Sequence, residues 1–309
     1  MRYFIGIEIG GTKLQVVTGD AAGTIVERRN FTVERAQGAA GIRQQIEQGL
    51  LEFARKGTPE AVGVGFGGPV DWNTGRICRS HHIEGWSEFD LGGWLRDLTG
   101  APVFVDNDAN VAALGEARRG AGVGFDPMFY VTLGSGVGGG IVVGGGIYHG
   151  ALPGEAEVGH VRLDRTGTTV ESRCSGWAVD SKVREVANKE PSSHLAKMLD
   201  NGRGAEAKHL LAALKQGDGA AKRILEETAG DLAFGLSHVT HLFHPQAIIL
   251  GGGLSNVGEP LRVAVERALR GFIMEAFQPG PQVALSVLRE DAVPLGALEL
   301  ARLLRQSAS

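Results

Sequence analysis

The hydrophobic pattern of the first thirty residues predicts three short strands joined by tight turns. Apolar and β-branched side chains dominate residues 3–9, 14–18 and 25–29, and residues 20–23 supply Asp and Gly for the turn between the last two. Only a few residues separate each run from the next. The opening segment therefore predicts an antiparallel meander.

Helical and strand-like patterns then alternate along the chain. Residues 40–56 carry apolar side chains at helical spacing, among them Ile42 and Ile46, whereas residues 61–66 and 102–106 are short apolar runs typical of buried strands. This alternation predicts a protein of the α/β class.

The pattern of strands restarts after Asp126. Residues 128–133 and 141–143 predict two more strands, and the three glycines at 144–146 predict the reversal that follows. Further helices are predicted at 174–188, 205–215, 219–242, 258–273 and 292–304, with strands at 246–250 and 283–287. The second half of the chain thus repeats the pattern of strands and glycine turns that opens the first.

Glycine is unusually frequent, at 48 of 309 residues, where the average share is about 7%. The 11 prolines and the lack of a G-x-y period exclude collagen. Glycine clusters directly follow predicted strands at 10–11, 134–140 and 251–253. At the carboxyl ends of strands, glycine lets backbone N–H groups approach phosphate oxygens. Three such loops are enough to surround one nucleotide, although a tight turn explains any single Gly-Gly pair equally well.

The charge balance excludes several classes of protein. With 31 Lys and Arg against 35 Asp and Glu, the formal net charge is −4, so the basic surface that nucleic acids require is missing. Cys78 and Cys174 cannot form a disulfide framework, and no signal-peptide pattern follows Met1, so we expect a cytoplasmic protein. Residues 127–154 carry no Asp, Glu, Lys or Arg, but ten of these 28 are glycine. That composition favours strands and loops over a membrane span.

Two common nucleotide-binding motifs do not explain the glycine loops. Residues 134–139 (GSGVGG) fit G-x-G-x-x-G, but a β-branched run at 141–143 follows where the Rossmann fingerprint requires a helix. No P-loop sequence G-x-x-x-x-G-K-[ST] occurs. The glycine loops instead fit a hairpin made of a strand, a glycine loop and a second strand, which occurs once near residue 10 and again near residue 136.

This doubled hairpin resembles the phosphate loops of the actin-like ATPase and sugar kinase superfamily, and the whole chain is similar to the ROK family (repressors, open reading frames and kinases). The segments that carry the resemblance are residues 6–13 (GIEIGGTK), 67–71 (GGPVD), 106–110 (DNDAN), 133–140 (LGSGVGGG), 156–160 (AEVGH) and 249–253 (ILGGG). Each is modest alone, but together and in this order they are specific.

The resemblance implies a two-domain actin-like ATPase fold, built from ribonuclease H-like α/β domains with a cleft between them. We expect one domain to comprise residues 1–116 and 295–309 and the other residues 117–294. The resemblance also implies an ATP-dependent sugar kinase that uses Mg²⁺, and a homodimer.

Asp108 is the predicted general base. Transfer of the γ-phosphoryl group of ATP needs a carboxylate that accepts the proton of the sugar hydroxyl, and Asp108 lies between a strand end and a helix. The pattern alone favours an ordinary helix N-cap, and only the family motif reverses that preference. The sugar contacts that the resemblance implies are Gly68, Asn107, Asp108, Glu157, His160 and Glu171.

The phosphates of ATP are assigned to the glycine loops. The predicted contacts are Gly10, Gly11, Thr12, Lys13, Gly134, Ser135, Gly136, Gly251 and Gly252. For Lys13 an exposed strand position is the alternative. Glu8 interrupts an apolar strand, and a buried carboxylate without a partner is costly. The resemblance implies that Glu8 positions Mg²⁺ through water.

Two segments depart from the family pattern. Many ROK proteins bind zinc with the His of the Gly-His pair and three cysteines in the loop that follows, but residues 161–177 lack this cysteine loop, and Cys174 lies outside the ligand positions. We therefore predict no structural zinc, while Glu171 aligns with the glutamate that ends the motif. His82 stands where relatives tend to have Asn, which leaves the identity of the sugar open.

The leading hypothesis is a glucokinase-like enzyme that phosphorylates a hexose hydroxyl, with glucose as the default substrate. An N-acetylated hexosamine, fructose or another sugar-like substrate remains an alternative. A non-catalytic sugar-sensing regulator is disfavoured because Asp108 and the phosphate loops are present. The repressor branch also needs a winged-helix domain ahead of the first phosphate motif, which begins here at Gly6.

Overall fold

The computed structural model describes residues 2–78, 84–152, 154, 156–199 and 204–307. The strands in this part of the chain are β1 (Phe4–Ile9), β2 (Lys13–Gly19), β3 (Ile25–Thr32), β4 (Val62–Phe66), β5 (Val70–Asp71), β6 (Arg76–Ile77), β7 (Val103–Asn107), β8 (Met128–Leu133), β9 (Val137–Val143), β10 (Gly146–Ile147), β11 (Ala247–Gly251) and β12 (Gln282–Leu285). Every strand predicted from the sequence is confirmed, with β9 beginning four residues before its predicted start.

The helices alternate with these strands, and the predicted α/β class is confirmed. They are α1 (Gly38–Phe53), α2 (Leu91–Thr99), α3 (Asp108–Arg119), α4 (Val170–Cys174), α5 (Gly176–Lys189), α6 (His194–Lys197), α7 (Leu210–Lys215), α8 (Gly219–Phe243), α9 (Glu259–Arg270) and α10 (Ala292–Ser307). Polar side chains begin several of them. Asp218, for example, accepts hydrogen bonds from the backbone N–H groups of Ala220 and Ala221 at the start of α8.

Two five-stranded sheets have the same internal order. The first is β3-β2-β1-β4-β7, in which β1 to β3 form the predicted antiparallel meander and β1, β4 and β7 run parallel. The second is β10-β9-β8-β11-β12, with β8, β11 and β12 parallel and β9 and β10 antiparallel. The repeat expected from the sequence is therefore confirmed at the level of strand order.

The chain divides into two compact units. Unit 1 comprises Met1–Val123, Gly140–Glu155 and Glu290–Ser309, and unit 2 comprises Gly124–Gly139 and Ala156–Arg289. The domain bounds expected from the sequence stay a prediction. Among the described residues, none of the helices combines the length and the hydrophobicity that a membrane-spanning helix needs.

In unit 1, glycines allow the C-terminal helix α10 to lie directly on its neighbours. A Cβ atom at Gly63 of β4 would be only 1.9 Å from the carbonyl oxygen of Ala297, and one at Gly296 would be 1.8 Å from that of Val111 in α3. Real Cβ atoms never come so close. Part of the glycine excess therefore serves helix packing rather than ligand binding.

Candidate functional site

The carboxyl ends of the parallel strands β1, β4 and β7 converge in unit 1. Gly67, which follows β4, donates its backbone N–H to the carbonyl of Ile9 at 2.8 Å. A Cβ atom at Gly67 would lie 3.4 Å from Oδ2 of Asp108 and 3.7 Å from the Cα of Gly10. The first glycine loop, the loop after β4 and the predicted base thus meet at one edge of the sheet, where α/β proteins bind ligands.

Asn107 rather than Asp108 caps helix α3. Its Oδ1 accepts hydrogen bonds from the N–H groups of Ala109 and Asn110, and its Nδ2 donates to the carbonyl of Gly68 at 3.2 Å. Asp108 is the first residue of the helix and is half-buried. The helix-cap alternative for Asp108 is therefore wrong, because Asn107 is the N-cap of α3.

Glu8 is largely buried near the first glycine loop and has partners. Its Oε2 accepts a hydrogen bond from Nε2 of Gln15 at 2.6 Å and lies 3.5 Å from the ammonium of Lys13. Burial, the strongest influence, raises the pKa of the Glu8 carboxyl, whereas Lys13 and Gln15 lower it and Glu290 raises it. Lys13 and Gln15 therefore supply partners for the carboxylate that interrupts this strand.

The first glycine loop is held by backbone contacts. Gly10 donates its N–H to the carbonyl of Lys13 at 2.9 Å, and Thr12, which is exposed, accepts from Val33 through its carbonyl at 3.0 Å. Arg35, which the sequence analysis missed, donates from Nε to the carbonyl of Gly11 at 3.2 Å. A cationic side chain therefore lies beside the loop that is predicted to bind phosphate.

In unit 2, the second glycine loop and the glycines after β11 lie side by side. Gly252 has a left-handed φ of 77°, and a Cβ atom there would be 2.5 Å from the backbone of Leu133 at the end of β8. Gly176 at the start of α5 donates to the carbonyl of Gly134 at 2.7 Å. Position 252 needs glycine because its φ is left-handed and because a side chain there would collide with the backbone of Leu133.

A cavity of about 450 Å³ opens at this junction in unit 2. Its lining includes Gly134, Ser135, Trp177, Lys208, Gly253 and Asn256. Apolar walls with a few polar groups are typical of small-molecule sites. Trp177, Lys208 and Asn256 were missed by the sequence analysis, since none of them belongs to a motif.

Glu171 contacts the second glycine loop. Its Oε2 accepts a hydrogen bond from the N–H of Val137 at 2.9 Å and would lie 2.5 Å from a Cβ atom at Gly136. The resemblance implies a sugar contact for Glu171 and no other role. In the structure it also fixes the backbone of the loop that is predicted to bind phosphate.

Glu157, His160 and Glu171 lie close enough in unit 2 to influence one another. Loss of surrounding water raises the pKa of the Glu157 carboxyl, His160 lowers it and the Glu171 carboxylate raises it. Ala156, just before Glu157, has a left-handed φ of 54°. A strained backbone at a candidate site is consistent with function.

The loop that lacks the cysteines is closed by hydrogen bonds. Oδ1 of Asp164 accepts from the N–H groups of Thr166, Gly167 and Thr168 at 2.7–3.1 Å. Burial raises the pKa of the Cys174 thiol to about 12, and its sulfur faces the carbonyl of Thr228 at 3.6 Å. Within the described residues, no three His, Cys, Asp or Glu side chains form a metal-binding group. The predicted lack of structural zinc stays a prediction, and His82 lies outside the described residues.

Comparisons with known proteins agree on one family. The pattern of the ROK family matches residues 4–303. The chain is 33% identical to a glucokinase of Thermotoga maritima over 96% of both chains, and 31% identical to a glucokinase of Halalkalibacterium halodurans over 96% of this chain and 93% of that one. A crystal structure of a ROK family glucokinase from Streptomyces griseus, in complex with glucose and AMPPNP, is similar with a TM-score of 0.85 and 33% identity. This similarity covers 97% of this chain and 99% of that one.

Proposed function

The chain belongs to the ROK family and is an ATP-dependent sugar kinase, and from this premise we propose that it phosphorylates a hydroxyl of glucose with Asp108 as the general base. Similarity to two glucokinases and to a glucokinase structure that holds glucose and an ATP analogue supports the choice of sugar. The sugar contacts are Gly68, Asn107, Asp108, Glu157, His160 and Glu171.

The meeting of three strand ends carries this proposal. Gly67 lies beside both Asp108 and Gly10 in unit 1, so a carboxylate is close to a loop that offers backbone N–H groups to phosphate. In the reaction the sugar hydroxyl gives its proton to the Asp108 carboxylate while its oxygen bonds to the γ-phosphorus, and the bond to ADP breaks. The proton then leaves to water.

ATP binding is assigned to the glycine loops. The contacts are Gly10, Gly11, Thr12, Lys13, Gly134, Ser135, Gly136, Gly251 and Gly252. In unit 2 the cavity beside Trp177 and Asn256 has the volume and the apolar walls that suit the adenosine group.

The donor set of Glu8 fits a magnesium ion. Mg²⁺ favours carboxylate and water oxygens, and the Glu8 carboxylate lies just before the first glycine loop, where the Lys13 ammonium already offsets its charge. Glu8 would hold the ion through water. When bound, Mg²⁺ supplies positive charge to the phosphate oxygens during transfer.

We also propose a homodimer and a cytoplasmic location. Phe272 and Met274 are exposed large apolar residues in unit 2, and the N–H of Met274 donates to His241 near the end of α8. Such a patch is typical of a protein interface. Free Cys78 and Cys174 suit a reducing compartment.

A coupled assay of ADP release across a panel of sugars tests the proposed function. With ATP and Mg²⁺, we expect glucose to give the highest kcat/KM, above fructose, mannose and N-acetylated hexosamines. A higher value for one of those sugars would replace glucose as the substrate. No turnover with any sugar would contradict the kinase assignment itself.

The variant Asp108→Asn tests the base. We expect kcat to fall by about 10²–10⁴-fold, because the amide cannot accept the proton, while sugar affinity changes little. Asp97→Asn on the exposed side of α2 is the matched control and should leave both constants unchanged. Retained activity in Asp108→Asn would refute its role.

A further inference from the structure

His149 lies outside every motif discussed above, yet it binds the residue that precedes Asn107 and Asp108. Its Nε2 is 2.7 Å from Oδ2 of Asp106. An ionised carboxylate only accepts hydrogen bonds, so the imidazole is the donor. A segment of unit 1 that is distant in sequence is thereby connected to the catalytic motif.

Asp106 is the residue through which this contact acts. It is only 3% exposed, and its Oδ1 accepts from the N–H of Asn107 at 2.7 Å and from Nδ2 of Asn110 at 3.0 Å. A buried carboxylate needs donors on both oxygens. His149 supplies the donor for Oδ2, while Oδ1 holds the chain on both sides of Asp108.

An aromatic stack completes a closed ring of contacts. The imidazole of His149 stacks on Trp72 with ring centroids 4.2 Å apart and planes 17° apart. Trp72 follows β5 in the segment that starts at Gly68, and the carbonyl of Gly68 accepts the hydrogen bond from Asn107. The side chain of His149 is 17% exposed, so both its donor nitrogen and its ring face protein.

We propose that His149 is a positioning residue for the Asn107–Asp108 motif. Through Asp106 it fixes the start of α3 and hence the direction of the Asp108 carboxylate, and through Trp72 it ties the same motif to the loop at Gly68. This role rests on the proposed function, in which Asp108 is the base. Misplacement of a catalytic group by about 1 Å can cost on the order of 10²-fold in rate.

Two substitutions at His149 test the role of its hydrogen-bond donor separately from the role of its stacking ring. His149→Phe keeps a ring that stacks on Trp72 but lacks the donor, whereas His149→Gln places an amide donor near the position of Nε2 and lacks the ring. We expect His149→Phe to lower kcat by about tenfold or more with KM for ATP unchanged, and His149→Gln to stay within about threefold of the wild type. His194→Phe, at an exposed position in α6, is the matched control and should have no effect.

Full activity of His149→Phe, or an equal loss in both His149 variants, would overturn the proposal. Hydrogen exchange of a peptide covering residues 103–112 gives a second measurement that does not need turnover. It should be faster in His149→Phe than in His149→Gln, and equal rates would also overturn the proposal. If the wild-type protein phosphorylates no sugar, the proposed function fails while this exchange measurement still decides the role of His149.

Discussion

Glu8 shows how one side chain combines a stability cost with a proposed ligand role. Its carboxyl is largely buried in unit 1, and burial outweighs the attraction of Lys13, so its pKa is raised. The folded chain therefore binds this proton more tightly than the unfolded chain does. The free energy of unfolding falls as the pH rises from about 4.5 through the pKa of the folded state.

The variant Glu8→Gln should remove this dependence. We expect its Tm, relative to the wild type, to increase as the pH is raised from 4 to 7, because the amide never acquires the buried charge. Thermal unfolding at several pH values measures the difference. Glu47→Gln, at an exposed position in α1, is the control, and a Tm difference that shrinks with rising pH would be evidence against the account.

The motif residues of the site were accessible from the sequence, whereas the residues that support them were not. Asp108 follows a recognisable strand and stands in a family motif, so its location could be predicted. His149 and Asp106 are 43 positions apart in the chain, and no periodicity connects them. Trp177 and Lys208 likewise reach the unit 2 cavity only because α5 and the turn that precedes α7 are folded beside the glycine loop.

At the scale of elements, the close contact between α10 and α3 depends on Gly296. Alanine there would place a methyl group against the backbone carbonyl of Val111, and backbone cannot move aside as a side chain can. We expect Gly296→Ala to lower the free energy of unfolding by about 1–3 kcal/mol. Denaturant unfolding measures this change.

Gly230 provides the matched control for that substitution. It lies inside helix α8, and nothing comes within 4 Å of a Cβ atom built there. Gly230→Ala should raise the free energy of unfolding by about 0.5–1 kcal/mol, because alanine favours the helix. If both alanine variants shifted stability in the same direction, the packing account of Gly296 would be wrong.

Elements were predictable where the pattern was regular and not where packing overrides local preference. The meander of β1 to β3 and the long helix α8 follow directly from their apolar spacing. Helix α2 was missed because Gly92 and Gly93 weaken its helical signal, although Asp90 caps it through the N–H of Gly93. The start of β9 was missed because its glycines have little strand preference.

At the scale of the whole molecule, the lack of structural zinc is a prediction that rests on the missing cysteine loop at residues 161–177. In the loop that lacks the cysteines, three backbone N–H groups donate to the Asp164 carboxylate instead. We expect elemental analysis to find no zinc bound in stoichiometric amount, and EDTA to leave Tm unchanged while it abolishes turnover until Mg²⁺ is added. One zinc per chain in the purified protein would contradict this expectation.

The variant Asp164→Ala distinguishes hydrogen bonds from metal as the source of order in that loop. Without the Asp164 carboxylate, which accepts three backbone hydrogen bonds, the protein should have a lower Tm both with and without EDTA. Asp97→Ala, at an exposed position in α2, is the matched control and should leave Tm unchanged with or without EDTA.

The division of the chain has a consequence for its synthesis on the ribosome. Phe4 and Val17 lie in the first strands of unit 1, but Leu298 and Ala301 of α10, which cover them, are made only after all of unit 2. Synthesis proceeds at about 5–20 residues per second, so on the order of ten seconds pass between completion of the first sheet and synthesis of this helix. During that time the apolar face of the sheet is available to chaperones, so nascent chains that end before α10 should be retained by them.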